Sequence, residues 1–433
     1  MKKKVISFFL AMALGAVSLT GCSSSGSSST GSQKTENKGT GDTTGQVAST
    51  TKEAVASSKG EKKAVTLWYY WETVKHQEIL GQEINKFNES QDQLTVEAKY
   101  VPFADFKKQL SIGASAAELP DIVIIDGPDH ASYASMGIFA DLTGKVDVSQ
   151  YYDGPIASCT LEGKLFGVPF GSNCLSLYYN EDMLKEAGQK VPETWDELKT
   201  TAKALTKENV SGFAFSGVQN EEGTFNFMPW LWSTGDDSLA INNENGIKAL
   251  SFVGDLVKEG CMSKEVINWT QGDVMNQFIS GNVAMMINGP WQVPTIRQQA
   301  PNLKWNVALI PKDNQFASVL GGENFAIIEN KNIDASLEFV KFVTSKDEVK
   351  SYIDGFGYIA ARRDVADAQF SDDLVMKKFA EQMKYAKPRG PHPSWPEISD
   401  AISLAFNQVI TETSTPQQAA EEAQSKIDGI IKK

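Results

Sequence analysis

Histidine and cysteine are the scarce residues of this 433-residue chain, and their scarcity removes whole classes of chemistry. The three histidines, His76, His130 and His392, lie far apart in sequence and offer no shared metal or acid–base centre. Of the four cysteines, Cys22 stands alone near the start, and Cys159, Cys174 and Cys261 are an odd set without metal-ligand spacing. Free, mostly buried thiols are expected rather than a disulfide framework. There is no Gly-x-Ser-x-Gly elbow, no His-Glu-x-x-His, no Walker A loop and no Cys-x-x-Cys. The stretch 355–360 (GFGYIA) matches a dinucleotide-binding pattern, but it follows an expected helix rather than a strand and reads as a turn. No cofactor and no metal is therefore expected. Positive charge is also short, with 41 Lys and Arg against 54 Asp and Glu and a net charge of -13, which argues against nucleic acid or anionic lipid as a partner.

What is present begins with a leader. Lys2, Lys3 and Lys4 precede an uncharged apolar run, 5–20, too short to span a bilayer comfortably, and no later segment offers a transmembrane helix. The run ends in Leu19-Thr20-Gly21-Cys22, the small-residue pattern that precedes a lipid-modified cysteine. Residues 1–21 are thus expected to be a signal peptide, with Cys22 carrying the lipid. Residues 22–63 are almost wholly Ser, Gly, Thr, Lys, Gln and Glu, which bury too little to offset the entropy of ordering. Such a tether reaches on the order of 35 Å. A lipid-anchored, monomeric protein on the extracellular face of the cytoplasmic membrane is the expectation.

The body that follows is long enough for two domains, and it includes nine tryptophans. Residues 65–70 (VTLWYY) suit a strand, and Ile79, Leu80, Ile84 and Phe87 recur at helical spacing behind it. A strand over 94–101, a helix over 103–117 and a continuous apolar run over 119–125 complete a β-α-β-α-β alternation, which predicts a parallel sheet with ligands at the carboxyl ends of its strands. A Gly-rich turn over 162–169 reads as a hairpin leading into a crossover. A second α/β system starts near 175–179, continues through a helix over 194–206 and includes a strand over 283–287. The fold class is α/β with two lobes, each a parallel-rich sheet flanked by helices.

Aromatic rings beside carboxylates or amides mark the expected loops: Tyr70, Trp71 and Glu72 after the first strand, Asp126 and Asp129 after the third, then Trp230, Trp232, Trp291 and Trp395. Such pairs suit sugars, because a pyranose has an apolar C–H face for a ring and a rim of hydroxyls for polar partners. Taken singly, these tryptophans also suit a core, and loop carboxylates are usually solvated.

Four blocks in order carry a resemblance across nearly the whole body: 119–142 (LPDIVIIDGPDHASYASMGIFADL), 163–188 (GKLFGVPFGSNCLSLYYNEDMLKEAG), 278–291 (FISGNVAMMINGPW) and 319–328 (VLGGENFAII). The wording resembles the extracellular solute-binding proteins of sugar ABC importers, the maltose-binding-protein family. That resemblance implies two α/β lobes, 64–172 with 314–361 and 173–313 with 362–433, and a ligand cleft between them. The crossings would fall near 169–174, 311–316 and 360–364. It implies non-enzymatic capture of a mono- or oligosaccharide by cleft closure and delivery to ABC permease subunits. Carried over position by position, it implies contacts from Tyr70, Trp71, Glu72, Asp126, Gly322, Glu323 and Asn324 on the first lobe. The second lobe would offer Phe225 or Phe227, Trp230, Trp291 and Trp395, with Arg362 touching ligand or holding the hinge.

The sequence departs from maltose binders at 126–130, which carry no aromatic, and this argues against a maltodextrin. Other ligands stay open, a glycerol phosphate ester in a cationic cleft or a polyamine in an acidic one. A surface glycoside hydrolase would use a carboxylate pair drawn from Glu72, Asp126 and Glu323.

Overall fold

In the computed structural model, which describes residues 62–236, 240–329, 331–366, 368–370, 372–390 and 392–432, the first lobe grows from one half-buried strand. Along Lys63–Tyr69 the apolar Val65 and Leu67 point inward while Thr66 and Ala64 face out, the alternation of a covered strand. It pairs in parallel with Leu94–Tyr100 on one side and with Ile122–Asp126 on the other. Helices Val74–Ser90 and Phe103–Ala116 make the crossovers, the first burying Ile79, Leu80, Ile84 and Phe87. The expected β-α-β-α-β unit is thus present, and its third strand is buried throughout, as a continuous apolar run requires. Its register is pinned where Thr66 donates from its amide (2.8 Å) and its hydroxyl (2.9 Å) to Asp121 Oδ2. Glu323–Ile327 and then Val168–Pro169 extend this sheet antiparallel. The first strand begins at Lys63. The signal-peptide, lipid-anchor and tether expectations for 1–61 lie outside the described residues.

The second lobe departs from the parallel expectation. Its named strands, Trp305–Ala308, Ser176–Asn180 and Met285–Asn288, all pair antiparallel. Around these strands the parallel pairings among the described residues are isolated bridges, Thr194 to Lys312, Ser211 to Val283 and Ala214 to Met286. The segment making the last two presses so hard on helix Trp195–Leu205 that a Cβ at Gly212 would sit 1.9 Å from the Ala202 carbonyl oxygen. Helices Glu221–Ser233, Glu244–Lys258, Trp395–Ile410 and Pro416–Ile431 cover the lobe.

Two separate apolar cores result, one around Val65, Ile124 and Phe325, the other around Tyr178, Trp230 and Ile402. Between them lies a short sheet in the order Ile359–Ala360, Gly171–Cys174, Ser318–Gly321 and Ala386–Pro388. Gly171–Cys174 is the first crossing. Ala317 and Val319 still pack in the second core, so the return crossing falls later than 311–316, at the strand Ser318–Gly321. Val365 packs in the first core and Met376 in the second, so the third passage also lies beyond 360–364. The turn 162–163 closes the hairpin of Thr160–Leu161 with Lys164–Leu165, with Glu162 and Gly163 both at positive φ. The decoy at 355–360 is a helix end, closed by Gly357 in the left-handed conformation.

Candidate ligand-binding cleft

A cleft of about 470 Å³ opens between the two cores, walled by ends of strands on one side and starts of helices on the other. The first-lobe wall follows from the strand ends. Tyr70, Trp71 and Glu72 leave the strand Lys63–Tyr69, and Asp126 closes Ile122–Asp126 at the start of the helix Gly127–Ser135. Glu323 stands directly opposite Asp126 in the antiparallel pair. The chain reaches that position through Gly322 at φ 142, where a Cβ would lie 2.2 Å from the Gly171 carbonyl oxygen, so only glycine makes the kink.

The second-lobe wall is built from helix caps. Asn220 caps the helix Glu221–Ser233 by accepting from the Glu222 amide (2.8 Å), and the first-turn Glu221 and Glu222 suit the positive end of the helix. Thr270 and Asp273 form a capping box at the start of Gln271–Ile279. Asn288 binds both segments together, donating from Nδ2 to the Gln271 carbonyl (2.9 Å) while its Oδ1 accepts from the Gly289 amide (2.9 Å). Gly289 carries no Cβ because the Trp291 ring folds back over it, 2.0 Å from where that carbon would be. Trp291 packs against both cores, with its ring 6.1 Å from Phe225 and 6.3 Å from Tyr358.

The floor is charged. Arg389, buried, donates from Nη2 to Asp126 Oδ1 (3.2 Å) and from Nη1 to Glu221 Oε1, and its guanidinium lies 4.3 Å from the Phe225 ring centre. One cation thus serves two carboxylates from opposite lobes. Trp395 braces the far side by donating from Nε1 to Glu221 Oε2 (3.0 Å). Behind Asp126, Lys107 pairs with Asp129 at 2.9 Å, yet burial still holds the Asp129 carboxyl up at about 7. Tyr358 (3.0 Å) and Tyr70 (3.3 Å) both donate to Glu323 Oε1. Burial, reinforced by Asp126, pushes Glu323 up to about 8, and burial lifts Glu222 to about 7. Burial lowers His76 to about 4, so it lines the cleft as a neutral ring. Asn173 Oδ1, Gln292 Oε1 and Arg389 Nε are buried in this lining and make no hydrogen bond within the protein. Such atoms cost free energy unless something in the cleft meets them.

The structure brings Tyr70, Trp71, Glu72, Asp126, Phe225, Trp291, Gly322 and Glu323 to the cleft. It does not bring Phe227, Trp230, Asn324, Arg362 or Trp395 there. Phe227 stacks on Phe406 at 5.3 Å, and Trp230 packs edge-on against Phe213 at 5.9 Å, both fully buried in the second core. Asn324 points to the other face of its strand and donates to Ser158 Oγ (3.0 Å). Arg362 holds Asp364 at 3.0 Å and the Thr344 carbonyl at 3.1 Å, contacts within the first lobe. Asn173, Glu221, Tyr358 and Arg389 are cleft residues that sequence reasoning missed. The pattern Asn-Glu-Glu at 220–222 is a helix-start signal that would have found Glu221, but nothing local marks Arg389. Among the described residues no group of His, Cys, Asp and Glu could hold a metal, and Cys159, Cys174 and Cys261 are free and buried.

Two α/β lobes joined by crossing strands around an aromatic and polar cleft define a two-lobed solute-binding protein. The chain belongs to the family of bacterial extracellular solute-binding proteins, whose family model matches residues 82–379. It is 24% identical to the galactooligosaccharide-binding protein of Bacillus subtilis (strain 168), over 88% of this chain and 92% of that protein. It is 28% identical to the lactose-binding protein of Rhizobium radiobacter, over 69% of this chain and 75% of that protein. Among solved structures, an ABC transporter solute-binding protein from Thermotoga lettingae, bound with alpha-D-tagatose, superposes with a TM-score of 0.80 at 26% identity, covering 85% of this chain and all of that one (100%).

Proposed function

We propose that this chain is the carbohydrate-binding subunit of an ABC importer, capturing a mono- or oligosaccharide by lobe closure and passing it unchanged to a permease. The observation that carries the reading is the pairing, in one cleft, of rings from both lobes with buried polar atoms that have no partner. Trp71 and Tyr358 from the first lobe and Trp291 and Phe225 from the second offer faces to pyranose C–H groups, while Asn173 Oδ1, Gln292 Oε1 and Arg389 Nε offer complementary acceptors and a donor to hydroxyls. The sugar-binding names of the related proteins support the same class of ligand. A phosphate ester fits less well, because Arg389, the buried cation of the lining, is already shared by two carboxylates. The protein is proposed to act as a monomer, anchored outside the cytoplasmic membrane through lipid on Cys22.

The test is a thermal-shift screen of the purified full chain against mono-, di- and oligosaccharides, glycerol phosphates and polyamines. A bound sugar at a hundred times its Kd should add about 2.7 kcal/mol to the folded state, an easily read rise in Tm. Silence across the sugars would sink the reading. In bacteria that express the full chain, Cys22→Ser should move it out of the membrane fraction.

A further inference from the structure

The cleft is short of positive charge in a way that bears on which sugar it takes. Among its described lining residues are the carboxylates of Glu72, Asp126, Glu221, Glu222, Asp273 and Glu323, against the basic side chains of Lys75 and Arg389. Lys75 is exposed at the rim beside Glu78, and Arg389 is committed to Asp126 and Glu221. Glu323 sits directly opposite Asp126 across two paired strands, a placement in which like charges oppose each other. It is 6% exposed, both tyrosine hydroxyls go to its Oε1, and its Oε2 has no partner in hydrogen-bond geometry, although the Trp71 indole, whose Nε1 also lacks one, stands close enough to favour its charged form. Around it stand the rings of Tyr70, Trp71 and Tyr358.

A carboxylate oxygen without a partner, set in a wall of aromatic faces, is the surrounding that suits an ammonium group. Such a group brings three N–H donors, an attraction to ring faces and a positive charge beside which the Glu323 carboxyl, held up at about 8 in the free protein, gives up its proton and becomes the paired carboxylate. A hydroxyl would supply one proton and leave the charge surplus in place. Closure sharpens the difference, because Glu72 comes from one lobe and Glu222 and Asp273 from the other. Burial and then Asp273 already raise Glu72, and Glu72 and Asp273 both add to the rise at Glu222. A neutral ligand would leave these carboxylates facing each other in a drier cleft.

We infer that the ligand of this cleft is an amine-bearing sugar whose ammonium group docks on Glu323 Oε2. This rests on the carbohydrate reading above and narrows it. The test is calorimetry on the full chain near pH 6.5 with matched series: glucosamine, galactosamine and mannosamine, and the deacetylated dimer of chitin. Each is set against its neutral parent, glucose, galactose, mannose or cellobiose, and against its N-acetyl form, which keeps the shape and removes the charge.

In at least one series the amine should bind about tenfold or more tighter than both partners, roughly 1.4 kcal/mol. Glu323→Gln should bring that ratio close to one while the neutral parent's affinity moves less. The ratio in the unaltered protein stands as a test even if the variant misfolds. A neutral parent that binds as well as its amine, or silence in every series, would overturn the amine inference alone, while the carbohydrate reading falls only with silence across the wider sugar screen.

Discussion

The two walls of the cleft are built by opposite devices. The first lobe presents carboxyl ends of strands, so its side chains arrive by strand register: Asp126 and Glu323 face the cleft because they are paired residues of neighbouring strands. The second lobe presents helix starts, so its contribution comes with caps and partial positive charge, and it loads that end with Glu221, Glu222 and Asp273. Arg389, in neither device, lies after the short strand Ala386–Pro388 and joins the walls by binding Asp126 on one and Glu221 on the other. Arg389 thus joins the walls through its two Nη atoms while its Nε stays open to the cleft.

The largest effects should fall on stability. Arg389→Met removes the only guanidinium bound to Asp126 and Glu221 among the described residues, leaving two buried carboxylates without it, and should cost about 3–5 kcal/mol in urea unfolding. Trp230→Ala, which empties a core site, should cost a similar 3–5 kcal/mol while the folded fraction keeps its ligand affinity. A loss below about 1 kcal/mol for Arg389→Met would mean that the walls are not joined through this residue. Trp291→Ala should do the reverse of Trp230→Ala. Its ring bridges both cores and lines the cleft, so binding should weaken roughly 30-fold, about 2 kcal/mol, with a smaller change in unfolding. Equal affinity in Trp291→Ala and the parent protein would remove Trp291 from the binding surface.

The first wall was legible in the sequence and much of the second was not, for reasons that lie in the same two devices. A strand of known direction ends at a known residue, so the rings and carboxylate after Tyr69 and the Asp at 126 could be placed on one edge without coordinates. On a helix the facing residues depend on phase. From Glu221, the 100° steps of a helix return Phe225 to the same side and carry Phe227 and Trp230 to the opposite one, where the structure buries them. The spacing was therefore sufficient to separate Phe225 from Phe227, once the helix start at Asn220 was fixed. Asn324 fails by the matching rule for strands, since it neighbours Glu323 and so points to the other face. Arg389 had no such rule, because its partners lie more than 160 residues away (|i−j| of 263 and 168) and meet it only through the tertiary fold.

A pH dependence is the effect most specific to the cleft. Glu323 has a folded-state value of about 8 against an ordinary 4.5, raised by burial and then by Asp126. A carboxyl raised in this way favours the folded protein fully below 4.5, and that contribution is lost as the pH climbs through 8. Over that limb the slope attributable to this one proton approaches about 1.4 kcal/mol per pH unit. Glu222 and Asp129, each held near 7, tilt the curve in the same direction. The buried histidines His76, near 4, and His130, near 3, act on the acid side with the opposite sign, favouring the fold above 6.5 and withdrawing that support as they are forced to charge. The raw profile is therefore a sum, but the difference between the parent protein and Glu323→Gln isolates one group. Urea unfolding at intervals from pH 4.5 to 8 should show the parent losing stability relative to the variant as pH rises. Parallel curves would mean that the Glu323 carboxyl already has a cation beside it in solution, which would also remove the charge deficit that favours an amine-bearing ligand.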